Sequence, residues 1–431
     1  DMQEPMELLE LPGISLDYFL RGLAGEAYQD NAVFQELYSW YLQSPEYRIL
    51  VKKLTEASFS ERPSDKIGKT VAKILYGEIS PYSATRLERF AACAFAHFLQ
   101  YGLKVTERAE YEFRAMDMGN VMHMALEKFA AEVRKEGLDW ADLTEEERNR
   151  IIDDCLDQVS ADYGNTVLKS SARNEYMIER TRRILRRTVW ALQEQLKHGE
   201  FRPEGFEVKF EGGRIDRVDI MEEPEKNRVY VKVIDYKTGN TSFDMLALYH
   251  GLQLQLMIYL DGALKVEQRK YPDREIVPAG IFYYNVKDPM IQEKIHADVE
   301  RVQDQVMKKL KMNGLVQADD DVSIKIDETL ASIPVSRNKD GSFSRRSSVA
   351  SRQQFNAMGE YVRRKICDIR ESILDGNAAV APYELGKKNA CTYCPYITVC
   401  GFDRKIPGYE FHRLPSFSES DLWKKIMKED E

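Results

Sequence analysis

Cysteine is scarce: six residues in 431, too few for a disulfide scaffold. No apolar run approaches ~18 residues, so no segment reads as a transmembrane helix. The first residues lack the basic-then-apolar pattern of a signal peptide. No internal repeat is visible. Basic residues are not in excess, since 62 Lys and Arg face 71 Asp and Glu, a net charge of −9. Taken whole, that sum argues against a nucleic-acid binder, whose footprint is basic. What is present is an ordinary globular composition, 43% apolar and 10% aromatic, which excludes disorder on the scale of the chain. The length suggests two or three domains. The start at Asp1 points to a processed product or a piece of a larger protein.

Residues 1–80 read as a helical, acidic segment, with eight basic and thirteen acidic residues. Apolar positions recur at helical spacing in Phe34, Leu37, Tyr38, Tyr41 and Leu42, and in Val71, Ile74 and Leu75. Gly68-Lys69-Thr70 mimics the end of a phosphate-binding loop, but Pro63 stands where its first Gly belongs and no apolar strand precedes it. This gives no sign of ATP binding. Ser83 can cap a helix through Leu87, Phe90 and Cys93 to Phe98. A second helix follows Gly119-Asn120 and carries His123 and Glu127. Long helices fill 145–197.

The period then becomes 2. Phe206, Val208 and Phe210 alternate, Gly212-Gly213 turns, and strands follow at Arg214–Met221 and Val229–Lys237. A helix at 246–264 and a strand at Ile281–Val286 complete a mixed α/β core. Residues 335–352 are polar, Gly/Ser-rich and basic, which suggests a mobile loop. A helix at 353–374 ends at Gly376, and the end of the chain looks irregular.

The main chemical signal lies in Gly213-Arg214-Ile215-Asp216 and Val233-Ile234-Asp235-Tyr236-Lys237. Alternation puts Val231, Val233, Asp235 and Lys237 on one strand face. An acid and a lysine ending an apolar stripe are costly to bury without partners. Asp216 shares its face with Val218 and Ile220, so a hairpin brings the two carboxylates together. A cation between them relieves their repulsion, and hard oxygen ligands favour Mg²⁺ or Mn²⁺. Lys237 could then orient a water or stabilise developing charge. The plainer alternative is a surface ion pair. Asp219 shares a face with Arg217 and reads as a solvated pair, which leaves Asp216 as the preferred ligand. Gln255 and Tyr259 form an i, i+4 pair, as do His123 and Glu127. Each is also compatible with a structural role.

Cys391-x2-Cys394-x5-Cys400 places three thiols in ten residues. Cys93, on a helix beside aromatic residues, is the plausible fourth ligand. Cys155 and Cys367 read as buried small hydrophobes. Four cysteines serve either Zn²⁺ or an iron–sulfur cluster. Closing a loop of about 300 residues would tie the two ends of the domain together.

His123, Gly-Arg-Ile-Asp216, Asp235-Tyr-Lys237 and Gln255-x3-Tyr259, in that order, resemble the RecB-type nucleases of the PD-(D/E)xK superfamily. One cysteine before this core and three after it resemble the members with an iron–sulfur staple. Ser83-Ala-Thr-Arg-Leu-Glu-Arg-Phe-Ala-Ala-Cys93 and Cys391-Thr-Tyr-Cys394-Pro-Tyr-Ile-Thr-Val-Cys400 are similar to the C-terminal region of the AddB family, over about 80–416. The resemblance implies a restriction-endonuclease-like mixed sheet flanked by helices. Residues 81–416 would be the nuclease domain, 1–80 the remnant of a helicase-like region and 417–431 a tail. It implies that Asp216, Asp235, the Tyr236 carbonyl and His123 hold Mg²⁺ or Mn²⁺. Lys237 would act on the attacking water, with Gln255 and Tyr259 in support. Cys93, Cys391, Cys394 and Cys400 would hold a [4Fe–4S] cluster. The implied activity is a bacterial, cytoplasmic exonuclease cutting single-stranded DNA of 5′ polarity in double-strand-break repair, beside an AddA-type helicase–nuclease subunit.

Other readings use the same residues: a non-catalytic DNA-binding or assembly module with a structural metal, or a related nuclease of CRISPR adaptation or replication. The acidity does not oppose DNA once it is divided. Residues 1–80 carry −5 and 417–431 carry −2, which leaves −2 for the nuclease-like part. Arg180, Arg183 and Arg187, in a segment of six Arg and two Glu, and Arg345 and Arg346 are candidate phosphate contacts. An Arg-rich helix is equally compatible with a solvated face.

Overall fold

The computed structural model describes residues 12–23, 32–58, 65–77, 83–108, 115–163, 171–291, 298–406 and 408–428. Pro63, which interrupts the loop-like motif, lies outside them. The chain divides into two compact units, 1–64 and 65–431. In the first, α1 (Pro12–Leu23), α2 (Ala32–Gln43) and α3 (Arg48–Ser58) close around Phe19, Tyr41 and Val51. The second begins with α4 (Lys69–Tyr76), where Lys69 pairs with Asp375 at 3.0 Å.

Helix α5 (Ala84–Ala92) starts after Ser83, whose extended backbone occupies the N-cap although its side chain makes no capping bond. The single helix expected to run to Phe98 is broken. Cys93 is extended at φ −167°, and a short α6 (Ala94–His97) and a π turn at Phe98–Gly102 follow. The next helix, α7 (Ala115–Lys135), begins before Gly119. Helix α8 (Glu145–Asp162) is fixed by a capping box, in which Thr144 accepts from the Glu147 amide and Glu147 from that of Thr144. Helix α9 (Ala172–Lys197) follows.

Six strands form one mixed sheet in sequential order: β1 (Arg202–Phe210), β2 (Gly213–Glu223), β3 (Arg228–Lys237), β4 (Glu275–Asn285), β5 (Asn313–Gln317) and β6 (Val349–Ala350). The pairs β1/β2, β2/β3 and β4/β5 are antiparallel; β3/β4 and β5/β6 are parallel. The β3–β4 crossover was expected as one helix. It is two, α10 (Met245–Tyr249) and α11 (Gln255–Lys270), because Gly251 turns the backbone at φ +80°. Helices α12 (Val299–Lys309) and α13 (Asp320–Ile326) flank β5 in sequence, and α14 (Arg352–Leu374) follows β6.

The sheet is a central layer with a core on each face. Helices α7–α9 cover one face through Leu126, Phe129, Ile152 and Leu185. Helices α5, α11 and α14 cover the other through Leu87, Met257, Leu260 and Met358. Val231 and Val233 are fully buried there, each contributing about 1.5–3 kcal/mol.

Two segments depart from expectation. The loop at 335–352 is a hydrogen-bonded turn: Asn338 N donates to Ser342 O at 2.9 Å and Ser347 Oγ to Ser336 O at 2.7 Å, before the chain enters β6. The end of the chain is not irregular throughout. Beyond β7 (Tyr383–Leu385), β8 (Lys388–Asn389), α15 (Ile397–Cys400) and β9 (His412–Arg413), α16 (Glu419–Met427) buries Leu422 and Ile426. Among the described residues no helix is long and apolar enough to cross a membrane.

Candidate active site

Strands β2 and β3 separate where the chemistry begins. Their ladder ends at Arg217–Ile234, and beyond it Asp216 Oδ2 accepts the Tyr236 amide at 2.8 Å. A carboxylate thus replaces a backbone acceptor and is held beside Asp235. His123 of α7 brings Nδ1 to 3.4 Å from the same Asp216 oxygen, its ring edge-on to Tyr236. Lys237 Nζ lies 2.6 Å from Asp235 Oδ2 and donates to Gln255 Oε1 at 2.8 Å. Gln255 Nε2 in turn donates to the Tyr259 hydroxyl at 2.8 Å. The catalytic candidates read from β2, β3, α7 and α11 therefore converge at one end of the sheet.

Two carboxylates join them that the sequence reading passed over. Glu207 stands across the β1–β2 ladder from Asp216, between the pairs Phe206–Arg217 and Val208–Ile215. With His123 and Asp216 it offers three ligand atoms within 4.8 Å of one another. The register about the Gly212-Gly213 turn implies this pairing, with Glu207 alternating with the Phe206/Val208/Phe210 stripe. Glu88 of α5 accepts the amides of Leu254 and Gln255, at 2.7 and 2.9 Å, at the start of α11. It positions Gln255, and through Gln255 the lysine. Nothing local in the sequence marks that contact.

The acids here outnumber the cations beside them, Lys237 and Arg214. Burial pushes the Asp216 carboxyl up to about 7, against the pull of the Tyr236 amide. Burial and then the Asp216 carboxylate push Asp235 up to about 7, against Lys237. Burial pushes Glu88 up to about 7 as well and raises Glu207. Burial lowers His123, which leaves its imidazole neutral and able to ligate. Like charges opposite one another on neighbouring strands are destabilising. A divalent cation removes the conflict, so the donors present fit one. Of these donors, His123, Glu207 and Asp216 line an open cleft of about 350 Å³ with Asn120, Arg214 and Tyr259.

Asp219, expected as a solvated partner of Arg217, is instead fully buried. Arg217 Nε and Nη2 donate to it at 2.6 and 2.9 Å, and Lys232 Nζ lies 3.2 Å away. Trp140 and Phe206 cover the guanidinium, each ring centre 5.5 Å from it. These aromatics come from other parts of the chain, which is why strand alternation alone suggested solvent.

Cys93, Cys391, Cys394 and Cys400 are gathered near one another. Burial and then the three neighbouring thiols push Cys391 up to about 11, and burial raises Cys93. Cys93 sits at the break between α5 and α6 rather than within a helix. All four are described, yet among the described residues no three thiol sulfurs lie within 4.8 Å of one another. Of the other two cysteines, Cys155 is buried as expected, but Cys367 is exposed.

The arginine helix is largely engaged with acids. Arg182 Nη2 donates to Asp157 at 2.6 Å, Arg186 Nε to Asp153 at 2.9 Å and Arg183 Nε to Asp288 at 2.6 Å. Arg187 lies over Trp190, and Arg180, Arg345 and Arg346 are exposed.

A family model described as the PD-(D/E)XK nuclease superfamily matches residues 81–401. The chain belongs to that superfamily. Among curated proteins it is 38% identical over 438 residues to the B subunit of the ATP-dependent helicase/deoxyribonuclease of Lachnoclostridium phytofermentans, covering 96% of this chain and 38% of that protein. The same-named protein of Alkaliphilus metalliredigens is 34% identical, covering 100% of this chain and 40% of its own. That of Clostridium acetobutylicum is 32% identical, covering 95% and 37%. The chain thus spans about two fifths of the length of these relatives.

Proposed function

We propose that the chain is the metal-dependent nuclease region of a helicase–nuclease subunit. It hydrolyses phosphodiester bonds of single-stranded DNA exonucleolytically, on the strand of 5′ polarity, in double-strand-break repair. The observation that carries this is the pair Asp216 and Asp235, raised by burial with Lys237 held between Asp235 and Gln255. Asp216, Asp235, the Tyr236 carbonyl and His123 would hold Mg²⁺ or Mn²⁺, and Glu207 is placed to join them. The bound ion supplies Lewis-acid polarisation of the phosphoryl group. Lys237 Nζ, fixed on two sides, orients the attacking water and stabilises the charge that develops on phosphoryl oxygen. Gln255 sets the direction of that ammonium, and the Tyr259 hydroxyl accepts from the other end of the Gln255 amide. The relatives' printed name supports an assembly with a second, AddA-type subunit.

End-labelled single strands test this. With Mg²⁺ the wild type shortens them, and Lys237→Ala or Asp235→Ala slows that by about 10²–10⁴-fold, the usual weight of a positioned proton-handling group. Cleavage by either variant at the wild-type rate excludes the assignment. Labels at opposite ends read the polarity.

The four cysteines, close enough to raise one another's pKa, would hold a [4Fe–4S] cluster. Anaerobically purified protein is then brown, with a broad visible absorbance that Cys400→Ser removes. Colourless protein containing zinc refutes it.

A further inference from the structure

An apolar-floored recess lies outside the cluster of carboxylates, between α11, α14 and the β1–β2 turn. It has a volume of about 220 Å³, and Phe210, Met257, Ile258 and Val362 form its floor. Its rim is basic. Its lining carries five cations, Lys209, Lys265, Arg269, Arg363 and Arg370, and two acids, Glu211 and Asp261. Asp261 is shared by Lys265 at 2.6 Å and Arg363 at 2.9 Å. This is a concentrated positive site in a chain of net charge −9.

The recess adjoins the active site. Both are lined by Gly212, and the Phe210 ring meets Tyr259 edge-on at 5.9 Å. Two glycines make room for that ring: a Cβ at Gly212 or Gly262 would come within 2.5 or 2.6 Å of it. Past the other rim, Arg363 also borders a second basic patch carrying Arg364, Lys365 and Lys425.

We infer that this groove binds the stretch of single-stranded DNA next to the scissile phosphate, with an unpaired base on the apolar floor and phosphates on the rim cations. The inference rests on the nuclease reading above and adds the path of the strand. Stacking surfaces flanked by cations suit single strands of any sequence, and the shared wall at Gly212 gives the strand a continuous route to Asp216. A duplex keeps its bases stacked inward and cannot use the floor. An acidic peptide could use the rim but gains nothing specific from an aromatic floor.

The test is binding without cleavage. In EDTA, the anisotropy of fluorescein-labelled dT30 is followed with the full chain over a range of salt. Lys209→Glu/Arg269→Glu, both exposed positions, weakens binding at least ~10-fold and flattens the log–log salt slope by about 1–2, at ~0.7 per phosphate contact. Lys52→Glu/Lys53→Glu in the first unit makes the same charge change and leaves Kd within twofold. Unchanged thermal melting shows that both variants are folded. Equal Kd for the groove variant and the wild type overturns the proposal. So does wild-type binding of a matched duplex or of poly-glutamate as tight as that of dT30, the second marking a peptide dock. Groove-dependent dT30 binding by a wild type that cuts nothing in Mg²⁺ upholds the groove and removes the nuclease reading.

Discussion

The two faces of the β2–β3 hairpin treat buried acids in opposite ways. On one, Asp219 lies against Arg217 and Lys232, and these cations outweigh burial and hold its carboxyl below the ordinary range. On the other, Asp216 and Asp235 share one nearby lysine, and burial drives both up to about 7. The residues are neighbours in sequence and similar in burial, so burial does not make the difference. What differs is whether the protein supplies its own cations. The first face is electrostatically finished; the second holds more acid than the protein's own cations balance.

Breaking the finished face has the largest expected effect on stability. Asp219→Asn leaves Arg217 and Lys232 buried without their acid and costs about 3–5 kcal/mol, read from the urea midpoint at unchanged slope. A loss below ~1 kcal/mol shows that solvent reaches the triad and erases the contrast.

The open face responds to pH and metal, with a smaller effect. A carboxyl raised in the folded chain contributes stability in full below its unfolded value of about 4, and loses it as the pH climbs through about 7. Metal-free protein therefore melts lower at pH 8 than at pH 5. Mn²⁺ at 100 times its Kd returns about 2.7 kcal/mol at pH 8. The finest discrimination is Asp216→Asn, which flattens the metal-free pH trend. Asp219, with its lowered carboxyl, produces the opposite slope, confined to acid. Melting that is flat from pH 5 to 8 and indifferent to Mn²⁺ contradicts the uncompensated face.

How much of this was legible follows from how local each signal is. Alternation along β3 placed Asp235 and Lys237 on one face because Val231 and Val233 bury that face whatever surrounds it. The hairpin turn brought Asp216 beside them. Gln255 and Tyr259 were legible as an i, i+4 pair although the helix was drawn too long, since the break at Gly251 precedes both. Glu88 was not legible: its partners lie some 166 residues away, and within α5 it is simply a polar residue between Leu87 and Phe90. Arg217 and Asp219 were misread because Trp140 and Phe206, which exclude water from them, arrive from other elements. Cys93 was found by counting thiols, but its extended backbone, which ends α5, carries no sequence signal.

Helix α5 carries Glu88 and Cys93 within two turns, and this bears on the order in which the molecule is completed. His123, Glu207, Asp216, Asp235, Lys237, Gln255 and Tyr259 have all been synthesised once α11 is made. The thiols that meet Cys93 emerge about 300 residues after it, roughly 15–60 s later at 5–20 residues per second. Until then, Cys93 packs against its near neighbours in sequence, Phe95, Phe98 and Leu99 among them. The lysine and acids of the site are thus synthesised well before the cysteines that close on Cys93.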